Sequence, residues 1–358
     1  MSESQVDRDA LLRALELGAQ VASSQEARAL PILTNVKIAN HKVVATNTVR
    51  TVSCSIEFAG GSPSLLVGAK GLLDRISTMP SGTITLVADD TSLTIKSGRR
   101  RHKLPIISVL RFPDTEAPPD DDEFVTVSAS ELRRGLNSVK HAVARDGARP
   151  HLEAICWEAD DGKLRLIATD GHRLATCLTT IEWEHTGIML VSRDVVNGLL
   201  KFLGKAETVE IGRSGPSLCW RIEENMLFAK LLDGSFVPWR RVIPDSAECS
   251  LTTSAQALRA AVEAVSKACD RGRDVIRLES NDSELLVSAE SPEHGESRDV
   301  VPFSGTFSRE PIGCNPAFLT DALQTIDGDV TLCTGGCLDP IRVDVDGETV
   351  GVLMPIRV

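Results

Sequence analysis

Residues 127–144 read VSASELRRGLNSVKHAVA, and the chain uses their pattern twice more. Ser128 or Ser130 can serve as a helix N-cap, and Leu132, Leu136, Val139 and Val143 follow at the spacing of one apolar helical face. The stretches VDRDALLRALELGAQVA (6–22) and TTSAQALRAAVEAVSKA (252–268) have the same form, a short strand running into an amphipathic helix. Their starts at Val6, Val127 and Thr252 are offset by 121 and 125 residues.

A second pattern repeats with the same period. GAKGLLDRISTMPSGTITLVAD from Gly68, SRDVVNGLLKFLGKAETVEIGRS from Ser192 and NPAFLTDALQTIDGDVTLCTG from Asn315 each give a short helix, a break and an alternating strand. Their offsets are 124 and 123 residues. Two independent markers with one period identify an internal threefold repeat. KLRLIAT (163–169), ETVEIGR (207–213), DVIRLES (274–280) and IRVDVDG (341–347) alternate as half-buried antiparallel strands do. The expected fold class is therefore α+β: three similar domains, each with two helices packed on antiparallel sheets. Their expected extents are 1–120, 125–245 and 246–358, broken at FPDTEAPPDDDEF (112–124) and VIPDSAECS (242–250). Units repeated at this scale build arcs, arrays or rings whose function lies in the assembled surface.

The 358 residues are 42% hydrophobic and 25% charged, as expected of globular domains with their own cores. No stretch reaches the roughly 18–20 uninterrupted apolar residues of a membrane span. The start, MSESQVDRDALL, lacks a basic-then-apolar leader, so a cytoplasmic protein is expected. The nine cysteines sit mostly in apolar runs and read as reduced thiols. Cys333 and Cys337 in CTGGC have no second cysteine or histidine pair nearby, so neither a metal nor a cofactor is expected. The net charge of −11 argues against a nucleic-acid partner unless the basic residues are segregated onto one face.

IATDGHRLAT (167–176) brings Asp170, His172 and Arg173 within four positions. It reads either as the start of an active site or as a hairpin tip with a polar rim. Alternating residues run into Asp170-Gly171, a two-residue hairpin signal, and HRLATCL leads back as a strand. A general base needs a partner and a pocket. The chain has no G-x-S-x-G, phosphate-binding loop, H-E-x-x-H or acidic metal cluster to supply them. A turn or binding rim is the stronger reading, and no enzymatic activity is expected.

ATDGHRLA (168–175) resembles the signature of the bacterial DNA polymerase III beta subunit family, the sliding clamps. LPILTNV (30–36), RFPD (111–114), GSFVPWRRVIP (234–244) and VGVLMPIRV (350–358) also match that family, in the right order. The resemblance spans the chain. It implies a DNA clamp fold that forms rings: two subunits, head to tail, encircle duplex DNA without sequence preference as a processivity factor. It also implies a clamp loader, and partners such as the DNA polymerase III catalytic subunit, other polymerases and repair proteins that dock by short peptides. Carried over motif by motif, the docking pocket takes Leu152, Thr169, Gly171, His172, Arg173 and Leu174. Val237, Pro238, Arg241 and Val242 add a wall, and Val352, Met354, Pro355, Ile356 and Arg357 a floor. Without the resemblance, simple core packing between two domains is the stronger reading of these residues.

In this family the helices line the pore. Arg28, Arg133, Arg134, Lys140, Arg145, Arg149, Arg193, Lys201, Lys205 and Arg271 are the expected phosphate contacts, which salt would weaken. The subunit contact implied by the resemblance involves Leu72, Leu73, Arg75, Ile76, Leu104, Lys267 and Ala268. At Arg75, Lys267 and Ala268 aliphatic side chains are the family pattern. The chain also has no tyrosine, and Trp239 stands where a phenol is common. A divergent or second-copy clamp fits these departures. So does the alternative that the clamp fold here stays monomeric and recruits or sequesters peptides without encircling DNA.

Overall fold

The computed structural model describes residues 2–115, 124–147, 149–244, 247–270, 274–281 and 283–358. Seven α-helices occur among them: α1 (Arg8–Ala22), α2 (Gln25–Ala29), α3 (Ala69–Ser77), α4 (Ala129–Val139), α5 (Arg193–Leu203), α6 (Ala255–Val265) and α7 (Pro316–Leu323).

Both repeated patterns form as read. Strands Ser2–Asp7, Val125–Ser128 and Cys249–Ser254 lead into α1, α4 and α6. Helices α3, α5 and α7 lead into Thr83–Ala88, Thr208–Ser214 and Asp329–Thr334. In all three copies the strand before the first helix pairs antiparallel with the strand after the second, as in Val6↔Ile84, Val127↔Val209 and Leu251↔Leu332. Local capping starts several helices. Asp7 accepts from Ala10 N at 2.8 Å, Ser254 from Ala257 N, and Asn315 from Ala317 N at 2.9 Å. Leu132, Leu136 and Val139 are fully buried, as their spacing requires. Val143 is buried too, but it lies beyond the end of α4, after a 3-10 turn at Lys140–Ala142.

The chain forms two compact units, residues 1–130 with 194–231, and residues 131–193 with 232–358. The first holds a twelve-stranded sheet, in which Arg50–Ser55 pairs with Asn225–Lys230. The second holds a nine-stranded and a four-stranded sheet, and in the former Arg173–Glu182 pairs with Glu348–Leu353. Sheets that run on from one repeat into the next explain why the division passes through the middle repeat. The core of the second unit includes Leu258, Val262, Leu285, Leu319 and Leu332, all 0% exposed. All nine cysteines are free thiols, and Cys333 sits within 3.6 Å of Ser250 Oγ. No helix among the described residues is long and apolar enough to cross a membrane.

Candidate peptide-docking groove

The groove begins with strand pairing inside the second unit. Arg173↔Leu353 and Leu174↔Val352 lie side by side, so the turn after Lys163–Thr169 sits next to the end of the last strand. Met354 N donates to the His172 carbonyl at 2.9 Å and extends the contact past the strand.

The turn closes over four residues, Asp170 to Arg173, rather than the expected two: Thr169 pairs with Leu174, and Asp170 N donates to Arg173 O at 3.3 Å. Asp170 Oδ1 accepts from the backbone of His172 and Arg173, both at 3.0 Å. Thr169 Oγ1 donates to Arg173 O at 2.7 Å and accepts from Gly171 N at 3.1 Å. Gly171 has φ +87°, which favours glycine, and a Cβ there would lie 2.7 Å from Arg149 Nη1, at the movable end of that side chain.

Arg173 ties this turn to its surroundings. Its guanidinium bonds Asp170 Oδ2 at 3.0 Å, Asp321 Oδ2 on α7 at 2.6 Å and the His141 carbonyl, and lies 4.3 Å from the Phe318 ring. With these partners taken, its role is to hold the turn. The adjacent His141 imidazole is pushed down to about 4, first by burial and then by the Arg173 charge.

A cavity of about 320 Å³ opens beside the turn. Eight expected residues line it: Leu152, Thr169, Gly171, Arg173, Leu174, Val237, Val242 and Val352, with Met354 as a ninth. Val242 and Met354 are 50% and 44% exposed and form its lips. Beneath it lies a core of Ala154, Cys156, Ile167, Leu190, Phe236 and Trp239. Trp239 turns inward, and its indole N–H donates to Glu158 at 3.0 Å.

Six expected residues do not line the cavity. His172, Pro238, Arg241 and Arg357 are exposed outside it, and Pro355 lies beyond Met354. Ile356 instead forms a β-bridge with Gly313, its N–H donating to the Gly313 carbonyl at 2.7 Å. Two lining residues were not assigned to the pocket by sequence: Arg149 and His151. Arg149 precedes, and His151 lies within, a 3-10 turn, Pro150–Leu152, which Leu152 N and O anchor to Arg149 and Ala144. Their adjacency to Leu152 was the available signal. Arg149, expected as a phosphate contact, lines the groove, its guanidinium bonding Asp146 at 3.0 Å and the Asp170 carbonyl at 2.9 Å.

Of the other expected phosphate contacts, Arg28, Lys140, Arg145, Lys201 and Lys205 are exposed. Arg134 is exposed but paired with Glu131 at 2.8 Å, a contact that holds the Glu131 carboxyl down to about 2. Arg133 is half-buried, and Arg193 donates to the Ala144 carbonyl at 3.4 Å. Arg271 lies outside the described residues.

The residues expected at the subunit contact differ in burial. Leu72 and Ile76 are 0% exposed inside the chain's own core and have no surface to offer, and Leu104 and Ala268 are buried as well. Leu73 and Arg75 are half-buried, Arg75 donating to the Gly71 carbonyl at 2.9 Å, and Lys267 is exposed.

The threefold strand–helix repeat and its continuous sheets are those of a three-domain DNA clamp. Models of the DNA polymerase III beta subunit match in order: the N-terminal domain at residues 3–116, the central domain at 126–238 and the C-terminal domain at 240–355. The beta sliding clamp of Vibrio cholerae is 28% identical over 371 residues, covering 98% of this chain and 99% of that protein. The clamp of Escherichia coli is 25% identical, with the same coverage. A sliding clamp structure from Pseudomonas aeruginosa superposes with a TM-score of 0.90 at 26% identity, over the full length of both chains. So does one from Bartonella birtlesii bound to griselimycin, at 0.89 and 27%. The chain belongs to the DNA polymerase III beta subunit family and is a DNA sliding clamp.

Proposed function

We propose that two copies of this chain close head to tail around duplex DNA, and that the groove at Thr169–Leu174 tethers polymerases and repair proteins by their clamp-binding peptides. A clamp loader would place the ring on DNA, in the cytoplasm. The observation that carries the docking role is the groove itself: a concave, largely apolar cavity with a methionine lip and few polar groups, which suits an extended peptide with aliphatic and aromatic anchors.

Two open strand edges support ring closure. Among the described residues, 100–105 pair on one side only, with Ser92–Ser97, and carry Arg100, Arg101 and Lys103. Strand Gly295–Pro302 ends its sheet and carries Glu296 and Asp299 against one cation, Arg298, which pairs with Glu296; Glu290 and Glu293 beside it leave this edge net acidic. Long unpaired edges invite pairing with another chain, and their opposite charges favour head-to-tail over like-edge contact. Closure would then rest on backbone pairing and ion pairs in addition to Leu73. The exposed Arg28, Lys140, Arg145, Lys201 and Lys205, together with Arg133, Arg134 and Arg193, would meet phosphates without reading bases.

Fluorescence anisotropy with a labelled peptide ending in Leu and Phe tests the groove. Val242→Asp and Met354→Lys, both at exposed lips, should weaken binding by about tenfold or more. Unchanged affinity would overturn the assignment. Light scattering tests the ring: a particle near twice 38.5 kDa is expected, and a monomer at micromolar concentration would leave the monomeric peptide-recruiting module.

A further inference from the structure

Gly313 lies in the buried strand Ile312–Cys314, within the four-stranded sheet and away from the groove's lining. Its backbone is outside the left-handed region, so no dihedral demands glycine there. Space does. A Cβ on Gly313 would sit 2.2 Å from the Ile356 carbonyl oxygen and 2.5 Å from Val358 Cγ1. The last residues of the chain pass directly over this glycine, held by the Ile356 N–H to Gly313 carbonyl bond at 2.7 Å.

The same tail carries the groove's lip. Met354 is fixed on one side by its bond to the His172 carbonyl, and Ile356, two residues on, is fixed by Gly313. Pro355 between them has its φ locked by its ring. A displacement at Ile356 therefore passes to Met354 instead of being absorbed by a soft linker. We infer that Gly313 is a positioning residue for the docking groove: its missing side chain lets the C-terminal tail seat at the depth that sets the Met354 lip for an incoming peptide. The inference rests on the groove being the docking site.

The test is a double-mutant cycle read as peptide affinity in the full chain. Gly313→Ala should weaken the Leu/Phe-ended peptide by about tenfold, the scale of coupling between contacting residues. In a chain ending at Pro355, with Ile356–Val358 deleted, the same substitution should change affinity by less than about twofold, because the clash is gone. If Gly313→Ala does not fold, Ile356→Pro, which removes the anchoring N–H, should weaken the peptide in the same direction. Full affinity in Gly313→Ala, or an equal loss in the shortened chain, overturns the inference. Val242→Asp separates the two readings: if it binds peptide normally the groove assignment itself fails, whereas if it loses binding while Gly313→Ala does not, only the role of Gly313 falls.

Discussion

At Thr46–Arg50 in the first unit and Thr169–Arg173 in the second, 123 residues apart, the chain folds one turn twice. Thr46 and Thr169 each donate to the carbonyl of the arginine four residues on. Asn47 and Asp170 each accept two backbone N–H groups through Oδ1. Thr48 and Gly171 both take positive φ, +73° and +87°. Each arginine begins a strand that pairs with a later segment, Arg50 opposite Ala229 and Arg173 opposite Leu353.

The difference lies in what the side chains reach. The neutral Asn47 turns its amide toward Ser24 Oγ at 2.9 Å and Glu26 at 3.3 Å, closing the turn against the α2 segment. Asp170 instead pairs with its own arginine. The 3-10 turn at Pro150–Leu152, which falls near α2 plus the 123-residue offset, leaves the groove open. Arg50 bonds only the Asp194 and Gln20 carbonyls, and burial lowers its pKa against the pull of Asp194 and Glu26. Arg173 has two carboxylates and an aromatic face. One backbone turn thus serves as a sealed joint or as a pocket wall, and its neighbours decide which.

Removing the arginines should separate the two most sharply. Arg173→Met strands two carboxylates and a carbonyl, and should cost about 3 kcal/mol in urea unfolding and also weaken peptide binding. Arg50→Met should cost about 1–2 kcal/mol and leave peptide affinity unchanged. Equal losses would mean the carboxylates add nothing. A smaller effect is expected at the strained position. Gly171→Ala meets both a positive φ and the Arg149 guanidinium, for a loss of about 1–2 kcal/mol, whereas Thr48→Gly should gain up to about 1 kcal/mol. A further effect concerns pH. His141, normally near 6.5 and held down to about 4, binds its proton more readily in the unfolded chain. Stability should therefore be full above about pH 6.5 and fall as pH drops toward 4. Gln20 is the counterpart of His141 in the first unit, its carbonyl taken by Arg50 as that of His141 is by Arg173, and it does not titrate. His141→Gln should flatten that part of the unfolding profile. An unchanged slope would place the loss elsewhere.

Much of the helical framework was legible because α1, α4 and α6 bury one face, and their apolar residues recur where that face needs them. Leu132 and Leu136 could be assigned to a core without knowing what they touch. Half of the groove was legible too, through Thr169, Gly171 and Leu174 near a turn signal and Val352 and Met354 near the chain's end. The Arg149–His151 contribution was not, since nothing in that stretch's periodicity shows a 3-10 turn folding back on Asp170. The homology between ATNTVR and ATDGHR was present in the letters, but it gains meaning only from the matching hydrogen bonds.

By itself the sequence determined the threefold repeat, the helices, the alternating strands and the chemistry available at each turn. These depend on residues a few positions apart. Only the tertiary structure decided that Arg173 is consumed by Asp170, Asp321 and His141, that Leu72 and Ile76 are sealed in the core, and that Ile356 crosses Gly313 instead of flooring the groove. Strand register and side-chain competition between distant segments set those outcomes. A one-residue shift between Arg173–Glu182 and Glu348–Leu353 would turn the side chains of the shifted strand to the opposite face without altering a letter of the sequence.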